Sequence, residues 1–305
     1  MNKDTFEILT LLLEKEGQCS LNNIANELNI SLETVESIVS NLTKEGLLLD
    51  NMVTASGIEA LEPYRVKRAI FIAAGFGSRL VPITLNTPKP LVRVNDKRII
   101  DTVLDAVVAA GIEEIIIVRG YLYEQFDQLL YKYPNIKFVE NPMYTKANNI
   151  SSIMCVRDFL KNAYVMEADL YLNNPKLIKK YQYTSNTLGI KVESSEDWCF
   201  VVKNGMILKQ IPNGNEYKKN LKPDEELYQE VGISYLNEEA GIKLARHTEE
   251  VFSRPKGKNR YWDQVQFLDY CGQYEWNVRD CKKEDIVEID SYQELVAIDD
   301  RYLVK

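Results

Sequence analysis

The apolar run Ala69-Ile70-Phe71-Ile72 passes without a break into Ala73-Ala74-Gly75-Phe76-Gly77-Ser78-Arg79, and no other stretch narrows the fold as much. A short, wholly apolar run reads as a strand buried on both faces, as inside a parallel sheet. Here it ends in a turn with two glycines, followed by Arg79 and, past Thr87-Pro88, by Lys89. Glycines let backbone N–H groups approach a polyphosphate with no Cβ in the way. The Arg and Lys supply the fixed positive charge that a triphosphate needs. A Gly-x-Gly turn alone is most often a tight connection and nothing more. The whole string from Ala73 to Lys89 is far more specific.

After this junction the pattern alternates. Strands are predicted at 70–73, 114–119, 136–140 and 164–167, with helices at 99–110, 122–133 and 149–160 between them. Such a β-α-β-α rhythm implies an α/β fold, a Rossmann-like, mostly parallel sheet with helices on both faces. Beyond residue 186 the runs shorten, to 188–192, 200–203, 206–211 and 231–236, and read as a small antiparallel lid.

Residues 1–66 read as a separate module, leaving 67–305 for the α/β part. Phe6, Ile8, Leu9, Leu12 and Leu13 fit an amphipathic helix, Ser20 and Ser31 cap two more, and 47–49 with 52–54 pair across Asp50-Asn51. The module is similar to a winged helix-turn-helix domain. Of the chain's net charge of −8, this module carries −7, from four basic and eleven acidic residues. Its would-be recognition helix holds Glu33 and Glu36, with no Lys or Arg between Ser31 and Asn41. Duplex binding draws most of its affinity from Lys and Arg neutralising phosphates, so the charge argues against DNA binding and favours a protein partner or self-association.

Two apolar runs end in acids: Tyr164-Val165-Met166-Glu167-Ala168-Asp169 and Ile286-Val287-Glu288-Ile289-Asp290. In an open parallel sheet, ligands sit beyond the C-terminal strand ends, and a carboxylate there suits Mg²⁺. The structural alternatives are a turn residue for Asp169 and a cap of helix 292–298 for Asp290. His247, the sole histidine, is placed on the polar side of helix 238–250 as a surface residue, so no Ser-His-Asp triad is available. The five scattered cysteines and the lack of a long apolar run imply free thiols in a reducing cytoplasm and no membrane span.

Gly75-Phe76-Gly77-Ser78-Arg79, Asp169 and Glu288-Ile289-Asp290-Ser291 together resemble the bacterial CTP:phosphocholine cytidylyltransferases, a branch of the sugar-nucleotidyltransferase-like superfamily. The likeness runs from about residue 67 to 305, through Gly120-Tyr121, Asn148-Asn149, Asp197-Trp198 and Tyr261-Trp262-Asp263. It implies transfer of a cytidylyl group from CTP to phosphocholine, giving CDP-choline and pyrophosphate. It assigns Ala73, Ala74, Gly75, Gly77, Ser78, Arg79, Lys89, Gly120, Tyr121, Asn148 and Asn149 to the nucleotide. Asp169 and Asp290 go to Mg²⁺, and Arg79, Lys89, Asp169 and Asp290 form the catalytic set. A quaternary ammonium donates no hydrogen bonds and is held by ring faces beside a carboxylate, which gives Trp198, Tyr261, Trp262 and Asp263 to the choline end. A sugar-1-phosphate nucleotidyltransferase and a nucleotide-sensing transcription regulator are the rival readings.

Overall fold

The four helices of the N-terminal unit each begin at a polar side chain that caps them. In the computed structural model, which describes residues 1–303, these are α1 (Lys3–Glu14), α2 (Leu21–Leu28), α3 (Leu32–Lys44) and α4 (Ala55–Leu61), and Asn2, Ser20, Ser31 and Thr54 accept the respective backbone N–H groups. Between α3 and α4, β1 (Leu48–Leu49) and β2 (Met52–Val53) form a hairpin. Its turn residues Asp50 and Asn51 both have positive φ, the backbone that a two-residue hairpin turn requires. Ile8, Leu9, Leu12, Ile24, Val35 and Leu42 fill the core of this unit. The unit comprises Met1–Arg65 together with Tyr181–Tyr183, a short segment returned from far along the chain. Val304 and Lys305, the end of the expected 67–305 module, lie outside the described residues.

The second unit starts at Val66 and is built on nine strands in one sheet. Its elements in chain order begin with β3 (Arg68–Ala73), the small hairpin β4 (Arg93–Val94) and β5 (Lys97–Arg98), then α5 (Ile99–Ala109). Next come β6 (Glu114–Arg119), β7 (Ile136–Glu140), α6 (Ile150–Val156), β8 (Ala163–Glu167) and β9 (Leu170–Leu172). The chain continues through β10 (Asn186–Val192), β11 (Cys199–Lys203), β12 (Met206–Ile211), α7 (Gly214–Tyr217) and β13 (Glu226–Leu236). It finishes with α8 (Glu238–Phe252), β14 (Asn277–Cys281), β15 (Ile286–Glu288) and α9 (Tyr292–Ile298). The sheet order is β10-β14-β12-β11-β13-β8-β3-β6-β7, with β8, β3, β6 and β7 parallel. Alternate residues of the central strands serve two cores. Phe71, Ile115 and Met166 face the α5 side, whereas Ile70, Ile116 and Val165 face the side with Ile153 of α6 and Leu244 of α8.

The antiparallel strands extend this sheet. The long β13 pairs with β8 along Ile233–Leu236 and with β11 along its earlier residues. The switch falls at Gly232, whose φ of +78° is that of a strand irregularity that glycine adopts without strain. β14, which pairs in parallel with β10, lacked a strand signature because Arg279 and Asp280 interrupt its alternation.

Three local expectations change. The 122–133 segment is a run of 3₁₀ turns over Tyr123–Tyr131, with Phe126 and Leu129, three apart, buried on one side. The 149–160 helix is shorter, α6 followed by a single 3₁₀ turn at Arg157–Phe159. His247 is 2% exposed rather than on the surface. Leu244, His247, Thr248 and Val251 share the buried face of α8 at helical spacing, and the imidazole stacks on Tyr270 with its Nδ1 2.8 Å from the Tyr274 hydroxyl. Among the described residues no helix is long and apolar enough to cross a membrane.

Candidate active site

Three neighbouring parallel strands end on one side, and their ends carry the loop, Gly120-Tyr121 and Asp169. Ala73 and Ala74 are buried at the exit of β3, while Gly75 and Ser78 are exposed. Gly77 has φ +63°, and a Cβ there would sit 2.9 Å from the Lys89 Cβ. Glycine is therefore required both by the backbone and by the approach of the Lys89 segment. Thr84 Oγ1 donates to the Gly77 carbonyl at 2.8 Å and closes the loop on itself. Gly120 packs on Tyr144 and on the Ala74 carbonyl with no room for a side chain. The Tyr121 N–H donates to Ala74 O, and its hydroxyl to Thr84 O. Both residues thus brace the loop from β6. Tyr144, which sequence reasoning missed, adds a ring 5.4 Å from Phe76.

Beneath the loop lies Lys89, 7% exposed, whose ammonium donates to Asp169 Oδ2 and Asp290 Oδ1, each at 2.7 Å. Arg79 reaches Asp290 Oδ1 at 2.8 Å from an otherwise exposed position. Burial alone would lower the Lys89 pKa; the charge and hydrogen bond of Asp169, then Asp290, outweigh it and hold it above the ordinary lysine value. The two aspartates, far apart in sequence, meet because β9 pairs with β15, setting Leu170 opposite Glu288. The cap of α9 is Ser291, with Glu294 completing a capping box, so the Asp290 carboxylate is not used as the cap.

Glu288 joins them. Carboxylate oxygens of Asp169, Glu288 and Asp290 lie within 4.8 Å of one another. Burial, followed by Asp169 and Asp290, pushes Glu288 up to about 8. Asp169 Oδ1 is buried with no protein partner. An all-oxygen, acid-rich donor set with one orphaned oxygen fits Mg²⁺, a hard cation bound through few protein carboxylates. The sequence signal for Glu288 was its place two residues before Asp290 on the same strand end.

These acids line a cleft of about 330 Å³ with Arg79, Asn149, Glu167, Asp197, Trp198, Glu230, Tyr261 and Asp263. Seven of its lining residues are carboxylic acids and one is basic. Trp198 is half-buried and Tyr261 46% exposed, their rings edge-to-face at 6.5 Å. Trp262 departs from expectation. It is 2% exposed, belongs to the core beside α6 and α8, and does not line the cleft. Asp263 does line it, buried and bonded to the Gln210 amide, which also donates to Glu230 Oε2 at 2.7 Å. Burial and then the Asp263 charge push Glu230 well above the usual carboxylate range, and burial raises Asp263 too. Glu230 and Gln210 gave no signal in sequence, because they come from the antiparallel strands.

The two asparagines, expected near the nucleotide, hydrogen-bond within the protein. Asn148 Nδ2 donates to Asn259 O at 3.3 Å and its backbone N–H to Lys258 O, tying it to the loop before Tyr261. Asn149 faces the cleft, but its amide bonds Trp262 and Glu167.

Residues 68–199 match the nucleotidyl transferase family, and residues 1–48 the winged helix-turn-helix DNA-binding family. The chain is 33% identical to the 2-aminoethylphosphonate cytidylyltransferase of Lancefieldella rimae, over 77% of this chain and 93% of that protein. The chain belongs to the nucleotidyl transferase family. A choline-phosphate cytidylyltransferase of Streptococcus pneumoniae is 30% identical, over 74% of this chain and 94% of that one. The solved structure of the CTP:phosphocholine cytidylyltransferase from the same species superposes with a TM-score of 0.68 at 29% identity, covering 78% of this chain and all of that one. This nucleotidyltransferase groups with those cytidylyltransferases in sequence and in fold.

Proposed function

We propose that this protein transfers the cytidylyl group of CTP to a small acceptor with a phosphate or phosphonate at one end and an ammonium at the other. The observation that carries the acceptor class is the buried Glu230–Asp263 pair in the same cleft as the Trp198 and Tyr261 rings. Ring faces and buried acids together suit an organic cation. The relatives named for 2-aminoethylphosphonate and for choline-phosphate share that chemistry.

Between the two, the site favours a primary ammonium. Withdrawal of Trp262 leaves two rings where three were expected. A primary ammonium donates hydrogen bonds to buried carboxylates such as Glu230 and Asp263, which a quaternary ammonium cannot do. Phosphocholine is the second reading, carried by the Trp198–Tyr261 pair.

In the proposed reaction an acceptor oxygen attacks the α-phosphorus of CTP, the bond from that phosphorus to the β-phosphate oxygen breaks, and pyrophosphate leaves. The attacking oxygen is already anionic near neutral pH, so no side chain has to deprotonate it. The loop amides of 75–79 and Arg79 receive the triphosphate, and the Lys89 ammonium lies at the strand ends to neutralise charge near the α-phosphate. Asp169, Asp290 and Glu288 would hold Mg²⁺, which supplies electrophilic charge at the phosphates when bound. The remaining work is positioning of two anions in line.

Pyrophosphate release tests this, with four nucleoside triphosphates against 2-aminoethylphosphonate, phosphoethanolamine, phosphocholine and glucose 1-phosphate. CTP should be preferred, and the primary-ammonium acceptors should exceed the sugar phosphate in kcat/KM by at least about tenfold. A preference for glucose 1-phosphate, or for another nucleotide, would overturn the reading.

A further inference from the structure

Trp262 is buried, yet it is flanked by two residues that line the cleft, Tyr261 and Asp263. Its indole Nε1–H donates to Glu167 Oε1 at 3.1 Å, and its backbone N–H to Asn149 Oδ1 at 2.8 Å. Asn149 Nδ2 in turn donates to the same Glu167 oxygen at 3.1 Å. Three hydrogen bonds therefore close a ring through three segments: the end of β8, the residue before α6, and the loop after α8. Glu167 is confined on its other side by β13, where a Cβ on Gly232 would lie 2.9 Å from its Cγ.

We propose that Glu167 is a positioning residue for the acceptor. Its carboxyl oxygen receives the Trp262 and Asn149 donors, and so fixes the loop from which Tyr261 and Asp263 reach the cleft. This rests on the reading that those two residues contact the acceptor. The required property is a buried hydrogen-bond acceptor at that point, which satisfies two N–H groups that would otherwise be buried unpaired. Because Glu167 also lines the cleft, the competing role is direct attraction of the acceptor by its charge. The two roles separate on substitution. A glutamine keeps a carbonyl oxygen for both donors and loses the charge, whereas an alanine loses both.

The test uses the full chain and both 2-aminoethylphosphonate and phosphocholine. Glu167→Ala should raise acceptor KM by roughly ten- to a hundredfold, with the CTP KM changed less than about threefold, since misplacing a substrate wall by an ångström costs that much. Glu167→Gln should restore acceptor KM to within about threefold of wild type. Trp262→Phe, which keeps a ring but loses the N–H, should raise it about three- to tenfold. Tryptophan emission, read without substrate, should shift to longer wavelength in Glu167→Ala and not in Glu167→Gln. A glutamine variant as impaired as the alanine one would overturn the proposal in favour of a charge role. Equal rises in both KM values, or an unshifted emission in the alanine variant, would also overturn it. Should Glu167→Ala fail to fold, Glu167→Gln and Trp262→Phe decide: acceptor KM raised in the second alone supports the proposal, and raised in neither overturns it. Tyr261→Leu serves as the control for the underlying reading. If it leaves acceptor KM unchanged while the emission results hold, the acceptor wall has been misassigned but the Glu167 ring stands.

Discussion

Lys89 illustrates how a single buried charge organises this site. Its ammonium is held by Asp169 and Asp290, the same carboxylates that group with Glu288 as the candidate ion site. Removing one aspartate leaves Lys89 with a lost partner and the ion site with a lost oxygen. Asp169→Ala and Asp290→Ala should each lower kcat by about 10²–10³, the scale seen when one stabiliser of developing charge is deleted. Circular dichroism should show both variants folded, because each side chain sits at a strand end and not in a core. Turnover close to wild type in both, at saturating Mg²⁺, would remove them from the site. At this scale the sequence was informative, since an apolar run ending in Asp is a local pattern. Glu230 was not legible, because a lone acid in a strand shows nothing of what faces it.

The N-terminal helices and hairpin were equally local. Ser20 and Ser31 cap where their side chains suggested, and Asp50-Asn51 turns the hairpin. What those elements bind is a separate question. Helix α3 carries Glu33 and Glu36, with Lys44 at its last turn. The hairpin exposes Leu49 and Met52 and adds no positive charge. Despite the family match, we predict that the full chain does not bind duplex DNA specifically at about 0.15 M salt, because phosphate neutralisation supplies most duplex affinity. Fluorescence anisotropy with labelled duplexes from a random pool checks this. Tight, salt-sensitive binding to a selected sequence would overturn the charge argument and revive the regulator reading.

Over the whole molecule, the cleft concentrates buried acids that hold their protons more tightly than an unfolded chain would. Glu167, Glu230, Asp263 and Glu288 are all raised, Glu288 to about 8, with burial the first cause in each. Between the ordinary carboxylate value and that pH these four groups bind more protons in the native state than in the unfolded state, so their contribution to stability falls as pH rises, against a smaller opposite contribution from His247, whose pKa burial lowers. Without divalent cations, the melting temperature should be lower at about pH 8.5 than at about pH 6. Mg²⁺ competes with protons for the same oxygens and should raise the melting temperature more at the higher pH. Thermal unfolding with and without Mg²⁺ checks both slopes. A melting temperature that rises with pH, or a Mg²⁺ effect equal at both values, would contradict this account of the cleft.

Sequence by itself determined the features whose physics is local. These are the buried strand running into a glycine turn, the acids at strand ends, the helix caps and the alternation that yields a parallel sheet. The helical spacing of Leu244, His247 and Val251 was also there to be read, although charge near His247 masked it. Tertiary structure alone decided the rest. The pairing of β9 with β15 brought Asp169, Glu288 and Asp290 together, and strand pairs so distant in the chain leave no local mark. It also sent Trp262 into the core while its neighbours Tyr261 and Asp263 line the cleft. In a segment without helix or strand periodicity, the direction of each side chain follows the backbone path, and here the partners waiting at Glu167 and Asn149 set that path.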